Sequence, residues 1–149
     1  MFDSHGFFTL YFDEAIIVFV AEGSWNEQAS NICIIEIKKI IDGFDGKSFG
    51  IVVDSTNLEG VTPEGYNVWL KAIDEWNKRK HIATTRVDDP ESTIYQAFLS
   101  GFDEFFNETQ QFRYSSSIED GISWLNSIGL EGFAEGIGSK TAITNKPLG

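Results

Sequence analysis

The chain has 149 residues, of which 42% are hydrophobic and 23% charged, and its formal net charge at pH 7 is −12. This length and composition are typical of a single globular domain rather than of a disordered segment. The negative charge argues against nucleic acids and anionic membranes as partners, because both are bound through basic surfaces. No apolar run is long enough to cross a membrane, and the amino terminus lacks the features of a secretion signal, so we expect a cytoplasmic protein.

The histidines and the single cysteine give no sign of a metal site or a disulfide. Cys33 falls on the apolar side of a predicted helix, which favours a buried thiol over a nucleophile. His5 and His81 are far apart in sequence, so no Cys/His metal pattern exists. His81 stands at a predicted helix-to-strand junction, where we expect an exposed side chain. We therefore predict no metal and no cofactor.

The first two predicted elements form a β-hairpin. Residues 7–12 and 15–22 are strand-like apolar runs, and the polar pair Asp13-Glu14 separates them. Neither run alternates between apolar and polar residues, which indicates that both faces of the hairpin are covered. Helices on each face, or a second copy of the chain, would provide that cover.

A helix is predicted next, beginning near Ala29. Ser24 or Asn26 can cap its start, and Gly43 with the turn at Asp45 can end it. Apolar residues recur at helical spacing and define the expected buried side. They are Ile32, Cys33, Ile37, Ile40, Ile41 and Phe44.

The central strand covers residues 49–54. Its consecutive apolar residues, Ile51 to Val53, predict burial on both faces, as in a parallel strand. The next helix begins with Thr62 as cap and Pro63 at the first helical position, and it ends in the basic run 78–80.

The second half of the chain continues the alternation of strands and helices. We predict a strand from His81 to Val87, a helix opening at 88–91, a short edge strand from Gln111 to Tyr114, and a last helix from Ser117. With right-handed crossovers, this order gives an α/β fold: a mixed sheet that opens with an antiparallel hairpin, then βαβ units, and about four helices.

We predict one domain over residues 1–130. Beyond Leu130 the composition shifts to Gly, Ser, Thr, Asn and Lys without a regular apolar pattern. Such composition favours a loosely ordered C-terminal tail over residues 131–149.

Four motifs follow one another along residues 7–130, each occurring once. They are Glu22-Gly-Ser-Trp25, Phe49 to Asp54, Thr62-Pro-Glu64, and Ile118 to Leu125. In this order the chain resembles the SpoIIAA-like proteins, a bacterial family related to STAS domains and to the Sec14 (CRAL-TRIO) lipid-binding fold. The resemblance implies a regulatory or binding module, and hence a protein that is not an enzyme.

The resemblance also implies a phosphoacceptor, since STAS domains of the anti-sigma-antagonist type carry a phosphorylated serine before the helix that follows the central strand. Ser55 is the first candidate and Thr62 the second. The chain departs from the pattern because residues 57–61 separate Ser55 from the helix, and because neighbouring carboxylates oppose a phosphate. The alternative is that Ser55 or Thr56 hydrogen-bonds the turn while Thr62 caps the helix.

Polar residues are expected to gather where the central strand and its neighbour end. Carboxyl ends of adjacent parallel strands meet at one edge of a sheet, where ligands bind. Such a group could hold Mg²⁺ or a phosphorylated ligand, or could be a structural Asp–Arg pair. The predicted ligand or partner surface consists of Asp54, Ser55, Thr56, Thr62, Arg86 and Asp88.

Aromatic residues on the predicted third helix give one further candidate site. The Sec14 resemblance implies that they line an apolar ligand cavity, whereas their spacing is also typical of plain core. They are Phe98, Phe102, Phe105 and Phe106.

Three functions remain open at this point. The favoured one is a non-catalytic regulatory or adaptor module that binds a protein partner near the loop 54–64, with a homodimer through the N-terminal hairpin face as a further option. The first alternative is a carrier of an apolar or lipid-like ligand between helices and sheet. The second alternative is a metal-dependent enzyme that uses Asp54 and Asp88.

Overall fold

The computed structural model describes residues 6–88, 99–138 and 140–147. Within them the chain forms a six-stranded mixed sheet and four helices. The elements are β1 (Phe7–Asp13), β2 (Ile16–Trp25), α1 (Glu27–Gly43), β3 (Phe49–Val61), α2 (Pro63–Asn77), β4 (His81–Val87), α3 (Ser100–Thr109), β5 (Gln111–Ser115), α4 (Ile118–Ser127) and β6 (Ile143–Thr144).

The strands follow the spatial order β5-β4-β3-β2-β1-β6. Strands β2 to β5 are mutually parallel, whereas β1 runs antiparallel to both β2 and β6. The predicted fold class, with its opening hairpin, is therefore confirmed. The strand that begins at Gln111 lies at one edge of the sheet, as predicted, and runs parallel to β4.

Three predicted helix starts are confirmed by their caps. The Asn26 Oδ1 atom accepts a hydrogen bond from the Ala29 N–H at 2.8 Å, and this bond fixes the start of α1. The Thr62 hydroxyl accepts from the Gly65 N–H at 3.1 Å at the start of α2. The Ser117 hydroxyl accepts from the Asp120 N–H at 3.0 Å at the start of α4. Each cap satisfies an amide that the helix itself cannot pair.

Two cores lie on opposite faces of the sheet. The larger one joins the sheet to α1, α2 and α3, and it contains Ile51 of β3. The smaller one joins the sheet to α4 and to residues that follow it, and it contains Val52. Because successive side chains of a strand point to opposite faces, β3 is buried between both layers, as predicted.

The helix α4 approaches the sheet closely at Gly121. A methyl group at this position would lie 2.9 Å from Thr85 Cγ2 and 3.0 Å from Val52 Cγ1. The absent side chain therefore sets how near α4 packs to β3 and β4.

The predicted loop after residue 54 is wrong, because β3 continues to Val61. Its second half pairs in parallel with the end of β2, where Glu22 faces Asn57 and Trp25 faces Val61. Shifts in the pairing register on either side of Glu22 and Gly23 let both strands continue beyond the main body of the sheet.

Residues after Leu130 contact the second face of the hairpin. Phe133 is buried, and its N–H donates to Asp13 Oδ2 at 2.7 Å. Further on, β6 pairs with β1, and Lys146 Nζ lies 3.0 Å from a Glu22 carboxylate oxygen. The division into a domain ending at 130 and a loose tail stays a prediction.

The exposure of two side chains differs from the prediction. Ile32 was placed on the buried side of α1, but its side chain is exposed. His81 was expected to be exposed, but it is buried. The predicted start of the third helix, including Phe98, falls outside the described residues, and α3 is described from Ser100.

Candidate partner surface and core cavity

The 54–64 segment comprises the second half of β3 and the first turn of α2. Most of its polar side chains face solvent, since Thr56, Asn57, Glu59 and Glu64 are exposed. The segment leads from the carboxyl end of the buried part of a parallel strand into a helix amino terminus, which is a common ligand position in α/β folds. It is therefore an accessible, polar and acidic surface.

The Asp54 carboxylate bonds locally to Thr56 within β3. Its Oδ1 atom accepts hydrogen bonds from the Thr56 N–H at 3.0 Å and from the Thr56 hydroxyl at 2.6 Å. Aspartate commonly bonds the backbone two residues ahead in this way. Thr56 is therefore hydrogen-bonded locally, as the alternative to phosphorylation predicts, but in a strand rather than in a turn.

The two candidate phosphoacceptors differ in exposure. Ser55 is only 4% exposed, and its hydroxyl donates to the Val87 carbonyl oxygen at 3.3 Å. Thr62 is exposed while it caps α2. A modifying enzyme would thus reach Thr62 more easily than Ser55, and phosphorylation at either residue stays a prediction.

The expected cluster of Asp54, Arg86 and Asp88 forms only in part. Arg86 Nε lies 3.8 Å from Asp88 Oδ2. In the β3–β4 register, however, Arg86 faces Val53, and Asp54 faces Val87. Because neighbouring residues of a strand alternate between faces, the Asp54 and Arg86 side chains lie on opposite sides of the sheet.

Arg86 instead forms a buried ion pair with Asp103 of α3. Its Nε and Nη2 atoms donate to Asp103 Oδ1 at 2.9 and 2.6 Å. The Tyr114 hydroxyl donates to the other carboxylate oxygen at 2.7 Å. The three residues join α3 to β4 and β5. Removing Asp103 would leave the buried Arg86 guanidinium without its main partner.

Sequence reasoning missed Asp103, although one indication was present. Asp103 directly follows Phe102 and lies three residues before Phe106, on the side of the helix that was predicted to be buried. A carboxylate on such a side needs a cation, and the strand His81 to Val87 contains a single arginine, Arg86.

His81 is buried at the base of the larger core. Its ring stacks on Phe49 with 5.0 Å between centroids, and its Nε2 atom is hydrogen-bonded to the Thr84 hydroxyl at 2.9 Å. Burial lowers the pKa of His81 from 6.5 to about 3, so the imidazole is neutral at pH 7. The side chain is a structural part of the core.

An apolar cavity of about 70 Å³ lies between the sheet and α1 to α3. Arg86 and Ser55 contribute its polar lining together with Thr84 and His81. Of the four predicted phenylalanines, Phe102 and Phe106 line it, Phe105 is half-buried nearby, and Phe98 lies outside the described residues. The remaining lining includes Trp25, Trp69 and Trp76.

Within residues 6–88, 99–138 and 140–147, no three or more His, Cys, Asp or Glu side chains group together as metal ligands would. Over the same residues, no helix combines the length and the apolar character that crossing a membrane needs.

Comparison with solved structures identifies the architecture. An uncharacterized protein of the DUF3478 family with a SpoIIAA-like fold, from Shewanella loihica PV-4, superposes with a TM-score of 0.62. The sequences are 16% identical, and the match covers 84% of this chain and 98% of that one. The chain therefore has a SpoIIAA-like fold. At this identity the likeness establishes the fold and leaves the activity open.

A second solved structure extends the SpoIIAA-like comparison. An anti-sigma factor antagonist from Mycobacterium paratuberculosis matches with a TM-score of 0.54 and 14% identity, over 80% of this chain and 94% of that chain. No known family profile matches the sequence, and no curated protein is similar to it. The structural likeness confirms the SpoIIAA-like resemblance that the four motifs indicated.

Proposed function

We propose that this SpoIIAA-like domain is a non-catalytic regulatory module that binds a protein partner through the 54–64 segment. The observation that carries the proposal is the structural likeness to a protein named as an anti-sigma factor antagonist, which is a regulatory role exerted on another protein. The exposed polar side chains of the segment supply a surface for such a partner. A cytoplasmic location belongs to the same proposal.

Thr62 is the residue at which binding would be switched. Thr62 is an exposed residue at the start of α2, where the helix dipole favours a negative charge. A phosphate there would add a charge of about −1.5 to −2 beside Glu64, and so would strongly alter the electrostatics of the 54–64 segment.

Site-specific photo-crosslinking tests the proposal. A photoreactive amino acid at Glu59, which is exposed in the 54–64 segment, should capture a protein in cells of the native host. The same group at Lys47, exposed in the turn after α1, is the matched control. Thr62→Glu should abolish the Glu59 adduct, and Thr62→Ser, which keeps the cap, should preserve it. Equal adducts at both positions, or none at Glu59, would refute the proposal.

A homodimer through the face of the N-terminal hairpin is a second, separate part of the proposal. Ile16 and Val18 on that face pack in the smaller core with Leu130 and Phe133 of the same chain. The chain itself thus covers apolar surface that a second copy would otherwise bury. Sedimentation equilibrium would detect the dimer, and Tyr11→Thr, which removes a half-buried ring on the same face as Val18, should weaken it if this face is used.

The apolar cavity favours a carrier as the second candidate function. Ligand pockets usually measure about 300–1,000 Å³, so a lipid would have to enlarge the cavity of about 70 Å³ by separating α3 from the sheet. Organic extraction of the purified protein followed by mass spectrometry tests this. A stoichiometric co-purified apolar compound would support the carrier, and its absence would oppose it.

A further inference from the structure

The outward side of α1 carries two isoleucines where a surface helix normally carries polar residues. Ile32 is 40% exposed and Ile35 is 55% exposed, whereas the core side of the same helix is formed by residues such as Cys33 and Ile37. Ile35 lies opposite that buried side, so no rotation of a regular amphipathic helix would bury both sides at once. Neither isoleucine belongs to the larger or the smaller core.

The two isoleucines line a surface groove of about 640 Å³. The groove runs between the first half of α1 and the start of α2, so it borders the 54–64 segment at Thr62 and Glu64. The remaining lining residues are polar or acidic: Asn26, Glu27, Gln28 and Asn31. We refer to this surface, from Asn26 to Ile35 with Thr62 and Glu64, as the α1 groove.

The charges around the α1 groove have one sign. Glu27 and Glu64 lie at its amino-terminal end, and none of its described lining residues is basic. Lys38 and Lys39 occur farther along α1, beyond Ile35. The whole chain carries a net charge of −12, so the long-range field also attracts cationic partners.

We propose that the α1 groove docks an amphipathic, basic helical segment of the protein partner. Apolar side chains of that segment would cover Ile32 and Ile35, and its lysines or arginines would lie towards Glu27 and Glu64. Helix-in-groove binding uses this combination of an apolar strip and flanking charges. The inference rests on the proposed function, and it names the chemistry of the partner.

A second copy of this chain fits the α1 groove less well. In a two-fold dimer the same surface meets itself, so Glu27 and Glu64 of both copies would converge without a cation. Like charges brought together at an interface oppose association. A basic partner removes that conflict.

The test measures binding of a synthetic helical probe to the full chain. The probe is a fluorescein-labelled peptide of roughly 18 residues, about five helical turns, with leucines along one side and lysines on the other. A peptide of the same composition but scrambled order serves as the peptide control. Fluorescence anisotropy gives the dissociation constant for each variant of the chain.

Two sets of variants separate the apolar and the charged contributions. Ile32→Gln with Ile35→Gln keeps good helix formers on an exposed surface, and it should weaken probe binding about tenfold or more. Glu27→Gln with Glu64→Gln should weaken it about threefold and flatten its salt dependence between roughly 0.05 and 0.5 M. Phe12→Thr removes an exposed aromatic residue from β1, outside the groove, and should leave binding unchanged.

The outcomes decide between this inference and its rivals. If the scrambled peptide binds equally well, or if replacing both isoleucines leaves probe binding unchanged, the inference is overturned, because binding would then be unspecific charge attraction. A dimer that dissociates when both isoleucines are replaced would overturn it in favour of a second copy. Because the Glu59 crosslinking experiment uses neither the probe nor these isoleucines, it can succeed or fail independently, and the two proposals remain distinguishable.

Discussion

The buried imidazole of His81 makes stability depend on pH. In the folded protein its pKa is about 3, whereas the pKa of an unfolded histidine is about 6.5. Below pH 6.5 the unfolded chain therefore binds a proton that the folded chain excludes. By linkage, stability is fully present above pH 6.5 and is progressively lost as the pH falls towards 3.

The size of the effect follows from the two pKa values. Between pH 8 and pH 5 the histidine contribution amounts to about 2 kcal/mol of lost unfolding free energy, and it approaches about 5 kcal/mol below pH 3. The pKa of Asp13 is lowered by the hydrogen bond from the Phe133 N–H. The stability that Asp13 contributes is therefore lost only when the pH falls below the range from pH 8 to pH 5. Between pH 8 and pH 5, the difference from a variant that lacks this imidazole therefore isolates His81.

Urea unfolding of the wild type and of His81→Phe, measured at pH 8 and pH 5, provides the assay. Phenylalanine can retain the stack on Phe49 but binds no proton, so its unfolding free energy should change by about 2 kcal/mol less than that of the wild type. In a His5→Gln background, NMR titration of the remaining imidazole tests the wild-type site even if the phenylalanine variant does not fold. Equal pH dependence in both proteins, or an imidazole that titrates near 6.5, would refute the reasoning.

Three further substitutions test packing and the buried ion pair by urea unfolding. Asp103→Ala should cost about 3 kcal/mol because it leaves the Arg86 guanidinium buried without its main partner, and a loss below about 1 kcal/mol would contradict that burial. Val53→Ile should raise the unfolding free energy by about 0.5–1 kcal/mol by filling part of the 70 Å³ cavity, and unchanged stability would argue that the space is not empty. Gly121→Val should cost about 1–3 kcal/mol, since its methyl groups overlap Thr85, and a neutral result would show that α4 can move away from the sheet.

Local sequence patterns were sufficient for the centre of the fold. The uninterrupted apolar run from Ile51 to Val53 admits few structures other than a strand buried on both faces. Helix caps were equally predictable, because Thr62 followed by Pro63 satisfies the start of a helix through contacts within a few residues. The second half of β3 was missed because its strand conformation depends on pairing with Glu22 to Trp25, more than thirty residues earlier in the chain.

The site residues were harder to predict because their environments are set by distant parts of the chain. Four isoleucines between positions 32 and 37 allow more than one choice of buried side for α1. The packing of Cys33 and Ile37 in the larger core leaves Ile32 and Ile35 facing outwards. The burial of His81 likewise requires Phe49 and Phe106 from other elements. No local pattern contains that information.

The pairing of β6 with β1 matters for anyone who shortens this protein. A version that stops at residue 130 would strip the outer neighbour from Thr9 and Leu10 and would remove Phe133 from beside Ile16. The bare backbone of β1, next to newly uncovered apolar surface, would then be a template for uncontrolled intermolecular strand addition. Recombinant versions should therefore keep residues up to at least Lys146, and affinity tags should follow that point rather than replace it.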